Sequence, residues 1–457
     1  MLTGASLVGA HVHIVGVGGA GMSGLALLLV EMGARVSGSD TAASAVLDHL
    51  RARGVAVHVG HDRAHGIGAE FVTWSPAVAR DNVEVDAAVA SGATPLSRAE
   101  MLARLGQSSR IIGLTGTHGK TTATSMMTHV MNAAGRDCSR LLGAPVVGLG
   151  DNGHWGDDDL VLEVDESYGT FSLLSPFALG VLNVEADHLD HYGSLASLER
   201  AFSELVDRTT GPVVVWGDDP GVARVTAMLN RNVVRVGTVP GSPWRVDDVQ
   251  LGRRGATFRL AHGDEEMVMV LHVTGAHNVA NAAVVAVLAR ELGLGAEDVV
   301  RGLAAFTGAP RRFQSRGSWR GVDVYEDYAH LPGEITATIT ATLAAGYERI
   351  GVVFQPHRVT RMVNLNDAFA TAFDAATRVV VTDVYTAGEP NLAGVTGEIL
   401  VRAMIEHRPE ARVTYCSSLD DVADVAEAWH DEIDVILFLG AGNVADAALR
   451  LRGGLDQ

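Results

Sequence analysis

A three-domain α/β protein is what this sequence predicts, and three observations predict it. One strand pattern runs into the glycine turn Gly16-Val17-Gly18-Gly19-Ala20-Gly21. A second runs into Gly116-Thr117-His118-Gly119-Lys120-Thr121-Thr122. Beyond Gly308-Ala309-Pro310, short apolar strands again end in polar loops. The 457 residues exceed what one hydrophobic core holds, and 52 glycines suit a chain with many tight strand-to-helix turns.

The first unit opens with a strand at 12–17, a helix from 22 to about 32, and a second strand at 35–39 that ends at Asp40. A GxGxxG turn brings a phosphate to a helix N-terminus, and an acid at the end of the second strand stands where a ribose-binding carboxylate would. Read alone, this is an NAD site. Read strictly, it requires only a nucleotide or phosphate, and the ligand stays open. Strands at 55–59 and 71–74 carry the same doubly wound unit to Gln107.

The second unit is built on the loop that holds Lys120, the only lysine in the chain. A composition that otherwise uses arginine keeps one compact ammonium where a flexible stem reaches β/γ-phosphates, and Thr121 behind it offers a hydroxyl to Mg2+. Leu114 stands where the general phosphate-loop pattern has glycine, so the turn is tighter than that pattern, and a helix follows at 123–134. Downstream, the strand 160–167 ends in Glu163, Asp165 and Glu166. An acid at such a strand end positions a metal in phosphate-loop enzymes, and Glu163 is the chosen ligand. The alternative is that these acids merely solvate a strand end. The strand 179–184 leads into Asn183-Val184-Glu185-Ala186-Asp187-His188-Leu189-Asp190-His191-Tyr192, where His188 is the first candidate for a second metal position. Asn278 and Asn281 share one side of the first turn of a helix running to about 292, placed to cap it or to bond a base edge.

The third unit carries Arg311 and Arg312 after the linker. Its strand at 322–325 runs into Glu326-Asp327-Tyr328-Ala329-His330-Leu331-Pro332, and a strand at 349–354 leads to Gln355-Pro356-His357-Arg358. The C-terminal edge of an open α/β sheet is where ligands bind, so Arg358 beside His357 suits an anion. Strands at 379–382 and 435–439 repeat the pattern, and Gly440-Ala441-Gly442-Asn443 reads as a turn.

The formal charge of -19 argues against general binding of nucleic acid. Cys138 and Cys416 give neither a disulfide framework nor metal spacing, and no apolar run reaches membrane-span length. A cytoplasmic protein with no membrane partner is expected.

In this order the motifs resemble the Mur ligase family. The likeness rests on Gly16 to Met22 with Ser37-Gly38-Ser39-Asp40, on Gly116 to Thr122, and on Asn183 to Tyr192. It continues through His277-Asn278 with Asn281, Arg311-Arg312-Phe313, and Phe354-Gln355-Pro356-His357-Arg358. The resemblance implies an N-terminal Rossmann-like domain over 1–107 for a UDP-sugar and a central P-loop ATPase domain with a mostly parallel sheet over 108–309. A C-terminal Rossmann-like domain over 310–457 would close on both. It implies that Gly18, Gly19, Gly21 and Asp40 serve the UDP-sugar, so that the first turn is not an NAD site. Gly116, Thr117, His118, Gly119, Lys120, Thr121 and Thr122 would hold ATP, with Thr121, Glu163 and His188 on Mg2+ or Mn2+. Asn278, Asn281 and Tyr328 would lie near adenine, Arg312 and Asp327 near ribose and phosphates, and His330, His357 and Arg358 near the reacting ends.

The implied activity joins L-alanine to the carboxylate of UDP-N-acetylmuramate at the expense of ATP, by a monomer or weak homodimer. Transfer of a ready-made peptide is the neighbouring alternative within the family; an NAD-dependent oxidoreductase and a non-catalytic nucleotide-binding scaffold are the alternatives from other classes. Two positions depart from the family pattern, Tyr168 after Glu166-Ser167 and Leu331 after His330, and both bear on amino-acid recognition. Some relatives bridge their metals with a carbamylated lysine, which a chain with no lysine besides Lys120 cannot do.

Overall fold

Strand β1 (His11–Val15) buries four of its five residues and turns directly into the helix Ala20–Glu31, whose residues from Met22 to Leu29 are all buried. The computed structural model describes residues 6–79, 81–187, 189–387, 389–391 and 394–451, without the side chains of Tyr168, Leu189 and Asp190. Around β1 lie β2 (Arg35–Asp40), β3 (Ala56–Val59), β4 (Phe71–Trp74) and β5 (Thr94–Pro95), in the order β3-β2-β1-β4-β5 with every neighbour parallel. A sheet covered by helices on both faces needs such apolar strands, and their C-terminal ends share one edge.

The second sheet contains β6 (Ile111–Thr115), β7 (Cys138–Leu141), β8 (Gly153–His154), β9 (Asp158–Glu163), β10 (Ala178–Val181), β11 (Val213–Trp216), β12 (Val234–Gly237), β13 (Trp244–Gly252), β14 (Gly255–His262) and β15 (Glu265–Leu271). Its order is β15-β14-β13-β12-β11-β10-β6-β9-β7-β8. Fully buried β6 lies between β9 and β10, parallel to both, with Leu114 opposite Glu163 and Thr115 opposite Val181. This register delivers the ends of three strands to one place. The third sheet holds β16 (Gln314–Trp319), β17 (Val322–Asp327), β18 (Ile350–Phe354), β19 (Arg378–Thr382), β20 (Val413–Cys416) and β21 (Val435–Leu439), in the order β16-β17-β21-β18-β19-β20. Only β16 runs antiparallel among its described pairs.

By packing, the chain forms two compact units. One runs to Gln250 and takes in Thr257–His272 and His277–Thr307; the other holds Leu251–Ala256, Val273–Ala276 and the chain from Gly308 on. The first two sheets belong together because a single apolar cluster reaches from Leu7 through Leu105 to Ile111 and Val225. Their contact is close at Gly24 and Gly153, where a Cβ on Gly153 would stand 1.8 Å from the Gly24 carbonyl oxygen.

Several boundaries differ from the sequence reading. The helix after the phosphate loop begins at Lys120, not at 123, because left-handed Gly119 (φ 83°) already turns the chain into it. Strand β9 stops at Glu163, so Asp165 and Glu166 lie beyond the sheet, before a single 3-10 turn at Ser167–Gly169. Strands β14 and β15 were not assigned from sequence, although Ala256, Phe258 and Leu260, then Met267, Met269 and Leu271, are buried at alternate positions.

Candidate active site

Two glycine turns occupy the first packing unit. At the first, Gly16 and Val17 donate their N–H groups to the Ser39 carbonyl (2.8 and 2.9 Å), and Gly18 donates to Asp40 Oδ2 at 2.9 Å. Asp40 also accepts from the Thr41 N–H at 2.7 Å, so its carboxylate pins the turn to the end of β2. A Cβ on Gly18 would meet that carboxylate at 2.8 Å, which is why glycine stands there.

At the second turn, Asn183 beyond β10 grips the backbone of the loop. Its side chain accepts from the His118 N–H at 2.7 Å and donates to the His118 carbonyl at 3.0 Å, while Thr117 N–H donates to the Asn183 carbonyl at 3.1 Å. Gly119 lies against Asn281, whose Oδ1 a Cβ would approach to 2.7 Å. Asn281 is therefore a neighbour of the phosphate loop, and Asn278 is buried one turn earlier on the same helix, Ala276–Glu291.

Lys120 folds back over the loop. Its ammonium donates to the carbonyls of Gly116 (2.8 Å) and Thr117 (3.1 Å) and forms an ion pair with Glu166 at 2.8 Å. Burial works against the ammonium, but Glu166 and Asp165 outweigh it and hold its pKa above the usual lysine value. For Glu166, burial wins over Lys120 and pushes the carboxyl up to about 7. Asp165 goes the other way: Lys120 and the N–H and hydroxyl of Ser167 overcome its burial and lower it.

Thr121 donates its hydroxyl to Glu163 Oε1 at 3.0 Å, and Glu163 Oε2 accepts from the Gly143 N–H at 2.7 Å. A hydroxyl and a carboxylate beside the phosphate loop are the hard oxygen donors that Mg2+ takes, so these residues fit that ion. His188 lies outside the described residues. Among those described, no group of three His, Cys, Asp or Glu side chains is disposed to hold a metal. A cavity of about 230 Å³ separates the first turn from these carboxylates, lined by Gly21, Ser75, Arg98, Gly143, Glu163 and Asp165 among others.

In the second packing unit, Asp327 accepts from the N–H groups of Phe313 (2.6 Å) and Ala329 (2.7 Å), and burial raises its pKa despite Arg312. Arg312 and Arg311 both lie over the Tyr328 ring, at 5.1 and 4.8 Å. His330 and His357 meet edge to face at 5.6 Å, and His357 stacks on Tyr385. Burial, with His330, Arg361 and Arg358 nearby, pushes His357 down to about 4, so it is neutral near pH 7. Arg358 sits in the left-handed region at φ 71°, a costly backbone conformation for a side-chain-bearing residue, and it opens the helix Val359–Ala372.

Comparison with known proteins bears on this geometry. Residues 11–110 match the Mur ligase family catalytic domain, 114–289 the Mur ligase middle domain, and 311–442 the Mur ligase glutamate ligase domain. The chain belongs to the Mur ligase family. This Mur ligase is 38% identical over 444 residues to the UDP-N-acetylmuramate--L-alanine ligase of Solibacter usitatus, covering 96% of the chain and 93% of the relative. It is 39% identical over 434 residues to the enzyme of that name from Gloeobacter violaceus, covering 94% and 93%. Among solved structures it is similar to the UDP-N-acetylmuramate-alanine ligase of Thermotoga maritima, at 28% identity and a TM-score of 0.82 over 97% of this chain and 98% of the other. A murein peptide ligase from Psychrobacter arcticus shares the fold at 24% identity and a TM-score of 0.73, over 97% and 98%. The three-domain α/β architecture expected from sequence is that of the family.

Sequence reasoning singled out both turns, Lys120, Thr121 and Glu163, and this Mur ligase brings the last three together. It had no role for Glu166, the ion-pair partner of Lys120, or for the side-chain grip of Asn183. Both were present in quoted motifs, but nothing local distinguishes a buried carboxylate from a solvated one.

Proposed function

We propose that this protein joins L-alanine to the carboxylate of UDP-N-acetylmuramate with ATP as the energy source, a step of peptidoglycan precursor synthesis. The observation that carries the reading is the convergence of Lys120, Thr121 and Glu163 at a phosphate loop in a chain 38% identical to ligases of that name. The comparisons lend no support to peptide transfer or to nicotinamide chemistry.

A carboxylate is a poor acyl donor. Attack of its oxygen on the γ-phosphorus of ATP makes an acyl phosphate and releases ADP; attack of the L-alanine amine on the acyl carbon then forms the amide and releases phosphate. Mg2+, held by Thr121 and Glu163 with His188 as a further ligand, would supply charge neutralisation at the phosphates. The backbone of 116–122 would cradle ATP, and Lys120 would leave its carbonyl acceptors for the phosphate oxygens. Glu166 suits that exchange, since a carboxyl already near 7 can take up a proton when its ammonium partner moves.

Gly18, Gly19, Gly21 and Asp40 would hold the UDP-sugar. Asn278, Asn281 and Tyr328 would serve adenine, Arg312 and Asp327 the ribose and phosphates, and His330, His357 and Arg358 the reacting ends. An acyl phosphate hydrolyses readily, so closure of the domain over 310–457 on those of 1–107 and 108–309 would exclude water. Among the described residues no helix is long and apolar enough to cross a membrane. The reading adds a cytoplasmic location and a monomer or weak homodimer.

Phosphate release dependent on ATP, UDP-N-acetylmuramate and L-alanine tests the proposal. Turnover with L-Ala-γ-D-Glu-diaminopimelate and none with L-alanine would replace it with peptide ligation. Substituting glycine and serine for L-alanine measures the amino-acid selectivity on which the Tyr168 and Leu331 departures bear.

A further inference from the structure

The first glycine turn carries no cation of its own. Lys120 serves the second turn from inside its loop, whereas 16–21 contains no basic residue. The nearest cation comes from far along the chain. Arg98 is the first residue of the helix Arg98–Leu105, whose start is fixed by Ser97 accepting from the Glu100 N–H and Glu100 accepting from the Ser97 N–H.

A Cβ placed on Gly21 would lie 2.9 Å from Arg98 Nη2, 3.2 Å from Nε and 3.3 Å from Cζ. Both nitrogens are nearer than the carbon between them, so it is the Nε–Nη2 edge of the guanidinium that lies against the glycine. Any side chain at position 21 would displace it. The third glycine of such a turn is ordinarily explained by close helix–strand packing; here it makes room for an arginine.

A cation at the first residue of a helix faces the positive end of its dipole, and Gly21 lies in the first turn of the helix Ala20–Glu31, also at a positive end. Among the described residues Arg98 has no hydrogen-bond or ion-pair partner. It does act at longer range on Asp165, helping to lower that carboxyl. Its guanidinium lines the cavity of about 230 Å³ that also contains Gly21, Ser75, Gly143, Glu163 and Asp165. A guanidinium lining a cavity between a phosphate-type turn and a metal-type carboxylate has the donors to take an oxyanion.

We propose that Arg98, set against Gly21, binds an oxyanion of the nucleotide-sugar substrate in this cavity. The inference rests on the ligase reading above and adds to it a substrate-binding residue in the sequence between the two loops. Two oxyanions of UDP-N-acetylmuramate have the required chemistry, its pyrophosphate and its lactyl carboxylate.

The test uses the full chain in four forms: wild type, Arg98→Gln, Gly21→Ala, and the double variant. Dissociation constants for UDP-N-acetylmuramate and for UDP-N-acetylglucosamine, which lacks the carboxylate, are measured by calorimetry, alongside KM for ATP and the melting temperature. Arg98→Gln is expected to weaken UDP-N-acetylmuramate by about tenfold or more with KM for ATP and melting unchanged. Equal weakening of UDP-N-acetylglucosamine assigns the pyrophosphate; weakening of UDP-N-acetylmuramate alone assigns the carboxylate. Gly21→Ala is expected to reproduce most of the loss, and the double variant to be little worse than Arg98→Gln, because both act through one contact. Unchanged affinity in Arg98→Gln, or fully additive losses in the double variant, overturns the assignment. Wild-type protein that neither binds the sugar nucleotides nor releases phosphate would defeat the ligase reading itself, a result visible before any variant is made.

Discussion

The two glycine turns of the first packing unit are the same local device put to different uses. Each joins a buried parallel strand to the N-terminus of a helix, and each is held by one polar side chain from a neighbouring strand end: Asp40 at the first, Asn183 at the second. The holding side chains differ in charge. Asp40 supplies an anion that bonds to Gly18 N–H and Thr41 N–H, whereas Asn183 is neutral and leaves the charge of its loop to Lys120 and Glu166. A turn with a built-in anion orients a ligand through the amides it leaves free; a turn with a built-in cation can also neutralise charge that develops during a reaction. On this reading the first turn positions and the second reacts.

The largest expected effect separates the two. Lys120→Ala should lower kcat by about 10³-fold or more, the scale set by loss of a charge aimed at a transferring phosphoryl group. Circular dichroism should show the fold intact. Breaking a buried ion pair ordinarily costs about 3–5 kcal/mol, but Glu166 already titrates near 7 and can be neutralised by a proton. Retained ligation would mean that the second turn is not the reacting one.

Behind the first turn stands Glu84, fully buried, which accepts from His13, His65, the Asp62 N–H and the hydroxyl of Ser39, the residue whose carbonyl receives Gly16 and Val17. Burial alone would raise its pKa, yet these hydrogen bonds outweigh it and hold the carboxyl down at about 2. A depressed carboxyl contributes stability above its unfolded pKa and loses it as pH falls through the folded one. Glu84→Gln should therefore destabilise the protein by up to roughly 3 kcal/mol at pH 7, with the difference shrinking from about pH 4.5 toward pH 2. Melting curves of both proteins across that range check it, and a pH-independent difference would show that packing, not charge, is responsible.

Smaller effects should divide between the substrates. Asn183→Ala removes both side-chain bonds to His118 and should raise KM for ATP about tenfold, the worth of one or two hydrogen bonds, with KM for the sugar nucleotide unchanged. Asp40→Ala should do the reverse, raising KM for the sugar nucleotide about fivefold and sparing ATP. Steady-state kinetics with each substrate varied in turn would reveal any crossover between the two patterns, which would contradict separate duties for the turns.

Much of this division was legible before any fold was known. Strand–turn–helix order marks both loops because the periodicities involved are local, and a lone lysine in an arginine-using chain marks the one proposed to react. The strand-end position of Glu163 was readable for the same reason. The pairing of Glu166 with Lys120 was not, since the two residues are 46 apart in the chain and meet because β6 and β9 lie side by side in register. Arg98 was missed on the same ground: it stands in a helix whose sequence looks like an ordinary capped surface helix.

What the amino-acid order dictates here is which segments can turn around a phosphate and where the one ammonium stands. Steric freedom at glycine and the reach of a side chain are properties of a few consecutive residues. Which carboxylate loses its water, which guanidinium covers which glycine, and which asparagine clamps which loop depend on strand register and on burial. Those are long-range quantities, fixed when Leu114 comes opposite Glu163, Thr115 comes opposite Val181, and the helix Arg98–Leu105 brings its first residue onto Gly21.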